Sequence, residues 1–139
     1  MSVLSMPGNF IRRLHQHSTF VFVQKTQEDG FDITPVQFAA LDAINSHPGS
    51  DQAFIAERIG YDRATIGGVI DRMVKKGWVK RVIKEEDRRA RELSLTAKGN
   101  NVRTQLQPTV QNLQSEILRN LSDSEKELLV KLIKKVVVP

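Results

Sequence analysis

The sequence predicts a mainly α-helical fold with one small β-hairpin. Over six stretches, apolar residues recur every three or four positions, which is the pattern of helices that bury one face. A single stretch, residues 78–95, changes to β-favouring residues around a polar turn. The chain has 139 residues and neither an internal repeat nor a long linker, so we expect a single domain over residues 1–139.

The composition excludes several classes of protein. Hydrophobic residues make up 40% and charged residues 27%, which excludes a disordered chain. No purely apolar run exceeds four residues, as at Phe20–Val23, whereas a membrane span needs about 20. No basic and then apolar leader opens the sequence, so we expect a cytoplasmic protein with no membrane partner. The absence of cysteine excludes disulfides, iron–sulfur clusters, thiolate zinc sites and thiol redox sensing.

A first helix is predicted over residues 9–27, and a second begins after Thr34. Thr34 is a favoured N-cap, Pro35 suits the first helical position, and Gln37 completes a capping box. Residues 47–49, His-Pro-Gly, end the second helix. The stripe along one side of the first helix comprises Phe10, Ile11, Leu14, Ser18, Val21, Phe22 and Lys25.

Two shorter helices follow. The third begins at Ser50 or Asp51 and ends at Gly60, and the fourth is capped by Asp62 and ends at Gly77. The apolar residues of the fourth helix are spaced i, i+3, i+4 and i+7, so that a single face is buried. They are Ile66, Val69, Ile70 and Met73.

The hairpin and two further helices complete the chain. Residues 78–83 and 92–95 are the predicted strands, and the turn between them carries Asp87, Arg88 and Arg89 at its tip. Thr96 caps a fifth helix that runs to about Leu121, with a kink at Pro108, past which the apolar stripe continues in register. A second capping box, Ser122 with Glu125, begins a sixth helix.

The third and fourth helices have the spacing of a helix-turn-helix. Ala56 lets the second helix of the pair pack closely, Gly60 suits the positive φ of the turn, and Ile66 anchors the second helix in the core. The outward residues of that helix are Arg63, Ala64, Thr65, Gly67, Gly68 and Arg72. Adjacent glycines inside a helix cost about 1 kcal/mol each relative to alanine. They indicate either close helix packing or close approach to a DNA groove, and the flanking Thr65 and Arg72 favour the groove.

The net charge is concentrated in one region. Residues 62–91 carry ten positive and five negative charges, whereas the other residues carry eleven of each, so the whole excess of +5 falls here. Such an excess indicates a phosphate-binding surface as readily as an ordinary solvated one. Two adjacent arginines on a hairpin directly after a helix-turn-helix favour the phosphate-binding surface, because arginine is attracted to narrow A·T-rich minor grooves. The hairpin would then be the wing of a winged helix.

Three motifs of the chain occur together in one family. Residues 87–99 read Asp-Arg-Arg-Ala-Arg-Glu-Leu-Ser-Leu-Thr-Ala-Lys-Gly, residues 34–37 read Thr-Pro-Val-Gln, and residues 71–79 read Asp-Arg-Met-Val-Lys-Lys-Gly-Trp-Val. The first motif matches the Asp-x-Arg…Leu-x-Leu-Thr-x-x-Gly signature of the MarR-type (multiple antibiotic resistance regulator) winged-helix repressors. With six helices in the expected order, nearly the whole chain resembles this family.

The resemblance implies a homodimeric transcriptional regulator that binds a palindromic operator in double-stranded DNA. We expect this regulator to be a repressor. Residues 33–95 would form the winged helix-turn-helix DNA-binding lobe, and residues 1–32 and 96–139 the helical dimerisation region. Two recognition helices would enter successive major grooves about one helical turn apart. Asp87 would orient basic neighbours, and Arg89 would enter the minor groove. The residues expected at the DNA are Arg63, Ala64, Thr65, Gly67, Gly68, Arg72, Lys75, Arg88, Arg89 and Arg91.

Members of this family often release DNA when a small anionic aromatic compound binds between the dimer helices and the DNA-binding lobe. The candidate lining residues here are Arg12, His15, Thr19 and Phe22 of the first helix, and Gln37, Phe38 and Leu41 of the second. Each has an ordinary explanation too, as a surface or core residue. Two alternatives stay open: an architectural DNA-binding protein without a small-molecule ligand, and a winged helix that binds another protein.

No arrangement of residues indicates an enzyme, a metal site or a cofactor. The histidines are His15, His17 and His47. His15 and His17 would point about 200° apart on a helix, so they cannot chelate one metal ion. Neither a His-Glu-x-x-His motif, a phosphate-binding loop nor a Gly-x-Ser-x-Gly nucleophile motif occurs.

Overall fold

The computed structural model describes residues 1–83, 86 and 91–138. In this part of the chain the predicted helices and hairpin occur in the predicted order, after a short 3-10 turn at Val3–Ser5. The elements are α1 (Pro7–Glu28), α2 (Pro35–Ser46), α3 (Gln52–Ile59), α4 (Ile66–Lys75), β1 (Val79–Ile83), β2 (Arg91–Leu95), α5 (Ala97–Ile117) and α6 (Asp123–Val137). The mainly α-helical fold class with one small hairpin is therefore confirmed.

Side-chain caps set several helix boundaries. Thr34 Oγ1 accepts a hydrogen bond from the Gln37 backbone N–H, and Gln37 Oε1 accepts one from the Thr34 N–H, both at 3.1 Å. Ser122 and Glu125 form the same reciprocal pair at α6, at 3.2 and 2.8 Å. Thr96 caps α5 as predicted. These bonds satisfy backbone N–H groups that the first turn of a helix leaves without partners.

The predicted end of the fifth helix is wrong. α5 continues through Pro108 but ends at Ile117 rather than near Leu121. The carbonyl of Ile117 accepts a hydrogen bond from His17 Nε2 of α1, at 2.9 Å. The next turn is tighter, because the Leu121 N–H donates to the Leu118 carbonyl three residues earlier. A contact from a distant helix thus takes a carbonyl that a longer α5 would have used.

The predicted start of the fourth helix is also wrong. Regular helix begins at Ile66, and residues 62–65 form a turn. Within this turn Asp62 Oδ1 accepts a bond from the Ala64 N–H at 3.1 Å, and the Thr65 hydroxyl donates to the Asp62 carbonyl at 3.2 Å. Such local side-chain bonds to the backbone compete with helix formation. Asp62 therefore organises the turn before α4 rather than its first helical turn.

The core lies between the second half of α1, helices α2 to α4, the hairpin and α5. Ala56 and Ile66 are both buried, and Gly60 has a φ of 72°. These three residues confirm the helix-turn-helix. The largest fully buried side chains include Leu41, Ile44, Ile55, Ile70, Met73, Leu93, Leu106 and Leu113.

One edge of β2 joins the hairpin to the rest of the fold, and the other pairs with β1. β1 and β2 pair in antiparallel register from Val79 opposite Leu95 to Ile83 opposite Arg91. On the other side of β2, the Gly49 N–H donates to the Leu93 carbonyl and the Leu93 N–H donates to the Ser50 carbonyl, both at 2.9 Å. The loop between α2 and α3 therefore covers the second edge of β2.

The first turn of α5 packs against the residues that follow α4. A Cβ atom at Gly99 would lie 2.0 Å from the carbonyl oxygen of Trp78, so no larger residue fits there without a backbone shift. The Thr96 N–H donates to the same carbonyl at 3.1 Å. This close approach explains the Thr-x-x-Gly part of the sequence motif.

The terminal helices leave apolar side chains uncovered. No residue of α6 is buried in the described chain, and the first half of α1 is also exposed. The two helices border an apolar groove lined by Ile11, Leu14, His15, Ser18, Leu132, Ile133, Val136 and Val137. No helix among the described residues combines the length and apolar content that a bilayer crossing requires.

Candidate nucleic-acid interface

The helix α4 has one buried and one exposed face. Its buried face consists of Ile66, Val69, Ile70 and Met73, as the sequence spacing predicts. The opposite face and the preceding turn expose Arg63, Ala64, Thr65, Gly68, Arg72 and Lys75, while Gly67 is half-buried. The structure therefore brings together on one surface all the predicted DNA-contacting residues of this segment.

Packing within the chain does not require either glycine of α4. A Cβ atom at Gly67 would lie 3.7 Å from Gln52 Nε2, which is ordinary van der Waals contact, and one at Gly68 would meet no described atom within 4 Å. Neither glycine has a positive φ. Of the two interpretations that the sequence left open, close packing of helices inside the chain is thus not supported. The two glycines lower the stability of the helix, and no packing contact within the described chain accounts for their presence.

The exposed cations of this surface have no acidic partner in the described part of the chain. Arg63, Arg72 and Lys75 form no ion pair there. By contrast, the carboxylate of Asp71, which shares the exposed side of α4, lies 2.6 Å from Arg81 NH2. This pairing neutralises an acidic group that would otherwise repel a phosphate backbone.

Arg81 is a residue that sequence reasoning missed. It lies on β1, its side chain is only 19% exposed, and its bond to Asp71 joins the hairpin to α4. The sequence contains a signal for this pairing. β1 begins only a few residues after α4 ends, so the chain must turn back and the strand must lie beside the helix. Alternation along the strand then places Lys80 and Arg81 on opposite faces.

The wing residues are only partly described. Asp87, Arg88 and Arg89 lie outside the described residues, and so does the side chain of Arg91, whose backbone pairs with Ile83. Their predicted contacts with DNA therefore stay predictions. What the structure does provide is the register of the strands that lead to them.

The predicted ligand-lining residues fall into two groups. Phe22, Gln37 and Leu41 are buried, and Phe38 is half-buried with its ring centroid 6.4 Å from that of Phe22. Gln37 is already engaged in the capping box with Thr34.

The second group lies nearer the start of α1. Arg12 is exposed and hydrogen-bonds to Asn9 and Gln16 of its own helix. His15 borders the apolar groove with α6, and Thr19 is half-buried between the two groups. Ten residues of helix separate Arg12 from Phe22, a rise of about 15 Å. Among the described residues, no group of three His, Asp or Glu side chains is placed to hold a metal ion.

Comparison with known proteins agrees with this geometry. The model of the MarR family matches residues 33–90. The transcriptional regulator HosA of Escherichia coli O157:H7 is 32% identical over 126 residues, which cover 91% of this chain and 90% of HosA. The chain belongs to the MarR family. It is accordingly a MarR-family transcriptional regulator with a DNA-binding winged helix.

Two solved MarR-family structures extend the similarity to nearly the whole chain. The PcaV transcriptional regulator from Streptomyces coelicolor, in complex with its natural ligand, is 30% identical with a TM-score of 0.88, covering 98% of this chain and 94% of PcaV. A mutant of MarR from E. coli complexed with operator DNA is 27% identical with a TM-score of 0.86, and the similarity covers 100% of both chains.

Proposed function

We propose that this MarR-family regulator is a homodimer that represses transcription from a palindromic operator and leaves that operator when it binds a small aromatic acid. The exposed face of α4 carries the proposal. It joins cations that have no acidic partner among the described residues to two glycines that packing within the described chain does not require. A bare helix backbone fits deeper into a major groove, which is about 12 Å wide, than a helix with bulky side chains.

The roles on this face follow from the chemistry of each group. Arg63, Arg72 and Lys75 would contact phosphates or guanine edges, and Thr65 would contact a base edge or phosphate. Gly67 and Gly68, with Ala64, would let the helix backbone approach the bases. Arg88, Arg89 and Arg91 would extend the contact along the neighbouring minor groove, as their sequence positions predict.

The uncovered apolar face of α1 and α6 supports the homodimer. Apolar surface of this kind on one chain marks an interface. A two-fold dimer buries the same patch on both copies, so residues 1–32 and 96–139 would form the dimerisation region beside a DNA-binding lobe of residues 33–95. Two such lobes require an operator with two-fold symmetry and half-sites about one helical turn apart.

The glycine pair gives a direct test of the DNA-binding surface. We expect Gly68→Ala to raise the free energy of unfolding, by up to about 1 kcal/mol, and yet to weaken operator binding. The measurement is fluorescence anisotropy with the palindromic duplex that the wild-type chain selects from random DNA, titrated with salt. Gly8→Ala is the matched control, since Gly8 also lies in a helix with no described atom within 4 Å of its Cβ position.

Three results would contradict this surface. One is a Gly68→Ala variant that binds the duplex as tightly as Gly8→Ala does. The second is an affinity of the wild-type chain for the duplex that does not change with ionic strength, because contacts with several phosphates make binding strongly salt-dependent. The third is no preference for the selected palindrome over random DNA.

The proposed effector would lie along α1 between His15 and Phe22. Its ring would pack beside Thr19, with Phe22 and Phe38 at its far edge, and its carboxylate would face His15 and the end of the long Arg12 side chain, because Arg12 and Phe22 are too far apart along α1 to contact the same end of a small acid. PcaV, which is similar over nearly its whole length, has been solved with its natural ligand. Gln37 and Leu41 would bound the ring from α2.

A thermal-shift series of aromatic carboxylates and their uncharged amides tests the effector site. We expect at least one carboxylate to raise the melting temperature and to release the operator in parallel, and Arg12→Ala to lose this response while Arg13→Ala keeps it. If no aromatic carboxylate changes either the melting temperature or DNA binding, the chain is instead a DNA-binding protein without such an effector.

A further inference from the structure

Both connections between the terminal helices and residues 33–95 meet at one short segment, residues 76–78. This segment follows α4 directly. The first connection is the loop 29–34, which leads from α1 into α2, and the second is the step from β2 through Thr96 into α5. We call residues 76–78 the junction.

Lys76 holds the first connection to the junction. Its Nζ donates a hydrogen bond to the backbone carbonyl of Asp32 at 2.5 Å and lies 4.5 Å from the centroid of the Trp78 ring. The Asp32 carboxylate is also near, at 3.9 Å, but it is 98% exposed, so the ion pair contributes little. The carbonyl bond and the cation–π contact are therefore the contacts that matter.

Thr96 and Gly99 hold the second connection. The Thr96 hydroxyl donates to the Gly77 carbonyl at 2.5 Å, and the Thr96 N–H donates to the Trp78 carbonyl at 3.1 Å. The junction is tied to α4 in turn, because the Trp78 N–H donates to the Met73 carbonyl at 3.0 Å. The end of α4 is thus attached to both routes toward the dimerisation region.

We propose that Lys76 is a positioning residue that fixes the orientation of α4 relative to the dimerisation helices and thereby sets the operator half-site spacing that the dimer accepts. This inference rests on the dimeric DNA binding proposed above. Lys76 need not touch DNA for this role. Lys76 acts by restricting the movement of the DNA-binding lobe, residues 33–95, relative to the dimerisation helices. Each DNA-binding lobe on its own recognises its half-site without Lys76.

Operators of altered spacing separate this role from a simple contribution to stability. The probes are the palindromic duplex selected by the wild-type chain, the same duplex with one base pair inserted or deleted at its centre, and a duplex that contains one half-site. We expect the wild-type chain to lose affinity about tenfold on the inserted duplex, because the half-sites rotate by about a tenth of a turn. The affinity of the Lys76→Met variant should fall less than about threefold on the inserted duplex, because DNA-binding lobes that are held less rigidly tolerate a wider range of half-site separations.

Three variants complete the experiment. Lys76→Arg should restore the wild-type preference, because a guanidinium donates to the same carbonyl and stacks on tryptophan. Asp32→Asn should behave like the wild-type chain, because it keeps the backbone carbonyl. Half-site affinity should be the same for all of them.

A second route keeps the test decisive if Lys76→Met does not fold. Thr96→Val removes both the bond to the Gly77 carbonyl and the cap that Thr96 provides to the Gly99 N–H, whereas Thr96→Ser keeps both. Only the valine variant should therefore reduce the difference in affinity between the palindrome and the inserted duplex. The proposal is overturned if the variants that fold keep the wild-type spacing preference, or if Lys76→Met weakens half-site binding as much as it weakens binding to the palindrome. A wild-type chain that selects no palindrome would instead overturn the proposed function itself.

Discussion

The helices α4 and α6 have the same kind of sequence pattern and opposite surroundings. In both, apolar residues recur at helical spacing on one side. In α4 that side is buried within the chain, with Ile70 and Met73 at 0% exposure, whereas in α6 Leu132 and Ile133 remain 49% and 39% exposed. The comparison teaches that amphipathicity alone does not say whether a helix face belongs to a core or to an interface between chains.

The positions of the acidic residues also differ between α4 and α6. In α6, the acidic residues Asp123 and Glu125 lie in the first turn and the basic residues Lys134 and Lys135 in the last turn, which is the arrangement that the helix dipole favours. Basic residues also end α4, at Arg72 and Lys75, but its first turn has no acidic residue, and neither cation has an acidic partner among the described residues. The two helices therefore share the basic end that the dipole favours and differ in the acidic start, which only α6 has.

The largest expected effect comes from a substitution that creates a cavity beneath α4. Ile70→Ala should lower the free energy of unfolding by about 3 kcal/mol, because it removes buried methyl groups from a packed site. Urea denaturation measures the loss. Val74→Ala is the matched control on the same helix, since Val74 is 38% exposed, and it should change stability by less than about 0.5 kcal/mol. Equal losses in the two variants would remove the distinction between the faces of α4.

The corresponding change in α6 should act between chains. Leu132→Asp is expected to raise the dimer dissociation constant by about a hundredfold, as the loss of a central interface residue does, while the helix content stays unchanged. Sedimentation equilibrium with circular dichroism measures both quantities. Lys131→Asp places the same carboxylate on the adjacent side of α6 and should leave the dimer intact. A Leu132→Asp variant that is still dimeric would show that the partner packs elsewhere.

A smaller and more local effect is expected at the wing. Arg89→Ala should weaken operator binding about tenfold when the flanking sequence is A·T-rich, because that is where a minor-groove arginine gains most. Parallel titrations of duplexes with A·T-rich and G·C-rich flanks measure the difference. An equal loss on both flanks would leave Arg89 a general phosphate contact.

The smallest expected effect is a change in one pKa at the start of α6. The Ser122 backbone N–H, and then the Ser122 hydroxyl, stabilise the ionised carboxylate and lower the pKa of Glu125 below its usual value of 4.5. The stabilisation is therefore present at neutral pH and is lost as the pH falls through this lowered pKa. Ser122→Ala keeps the backbone donor, so an NMR titration should show the pKa of Glu125 rising only part of the way back. An unchanged pKa would mean that the hydroxyl contributes nothing.

Local signals predicted most of the fold. The two capping boxes, the turn at Gly60 and the buried spacing of α4 depend on residues close together in the chain, and each was found as predicted. The outward face of α4 followed for the same reason, because the buried face of a helix determines which residues remain outside.

Contacts between distant residues account for what the sequence did not reveal. The end of α5 depends on His17, which is one hundred positions away from Ile117. The pairing of Arg81 with Asp71 requires the hairpin to return beside α4. The distance between Arg12 and Phe22, by contrast, follows from helix rise alone, whereas the burial of Phe22 beside Phe38 of α2 depends on how α1 packs against α2, which no local pattern encodes.

The pairing of β2 with the loop between α2 and α3 has a consequence for self-association. An open strand edge can recruit the same strand from another copy and begin an aggregate. In β2 both edges are occupied, by β1 on one side and by the Gly49 and Ser50 backbone on the other. The free edge left in the described strands is that of β1, which is five residues long and carries the exposed Lys80. The hairpin therefore offers no long, uncharged edge among its described residues to another copy of the chain.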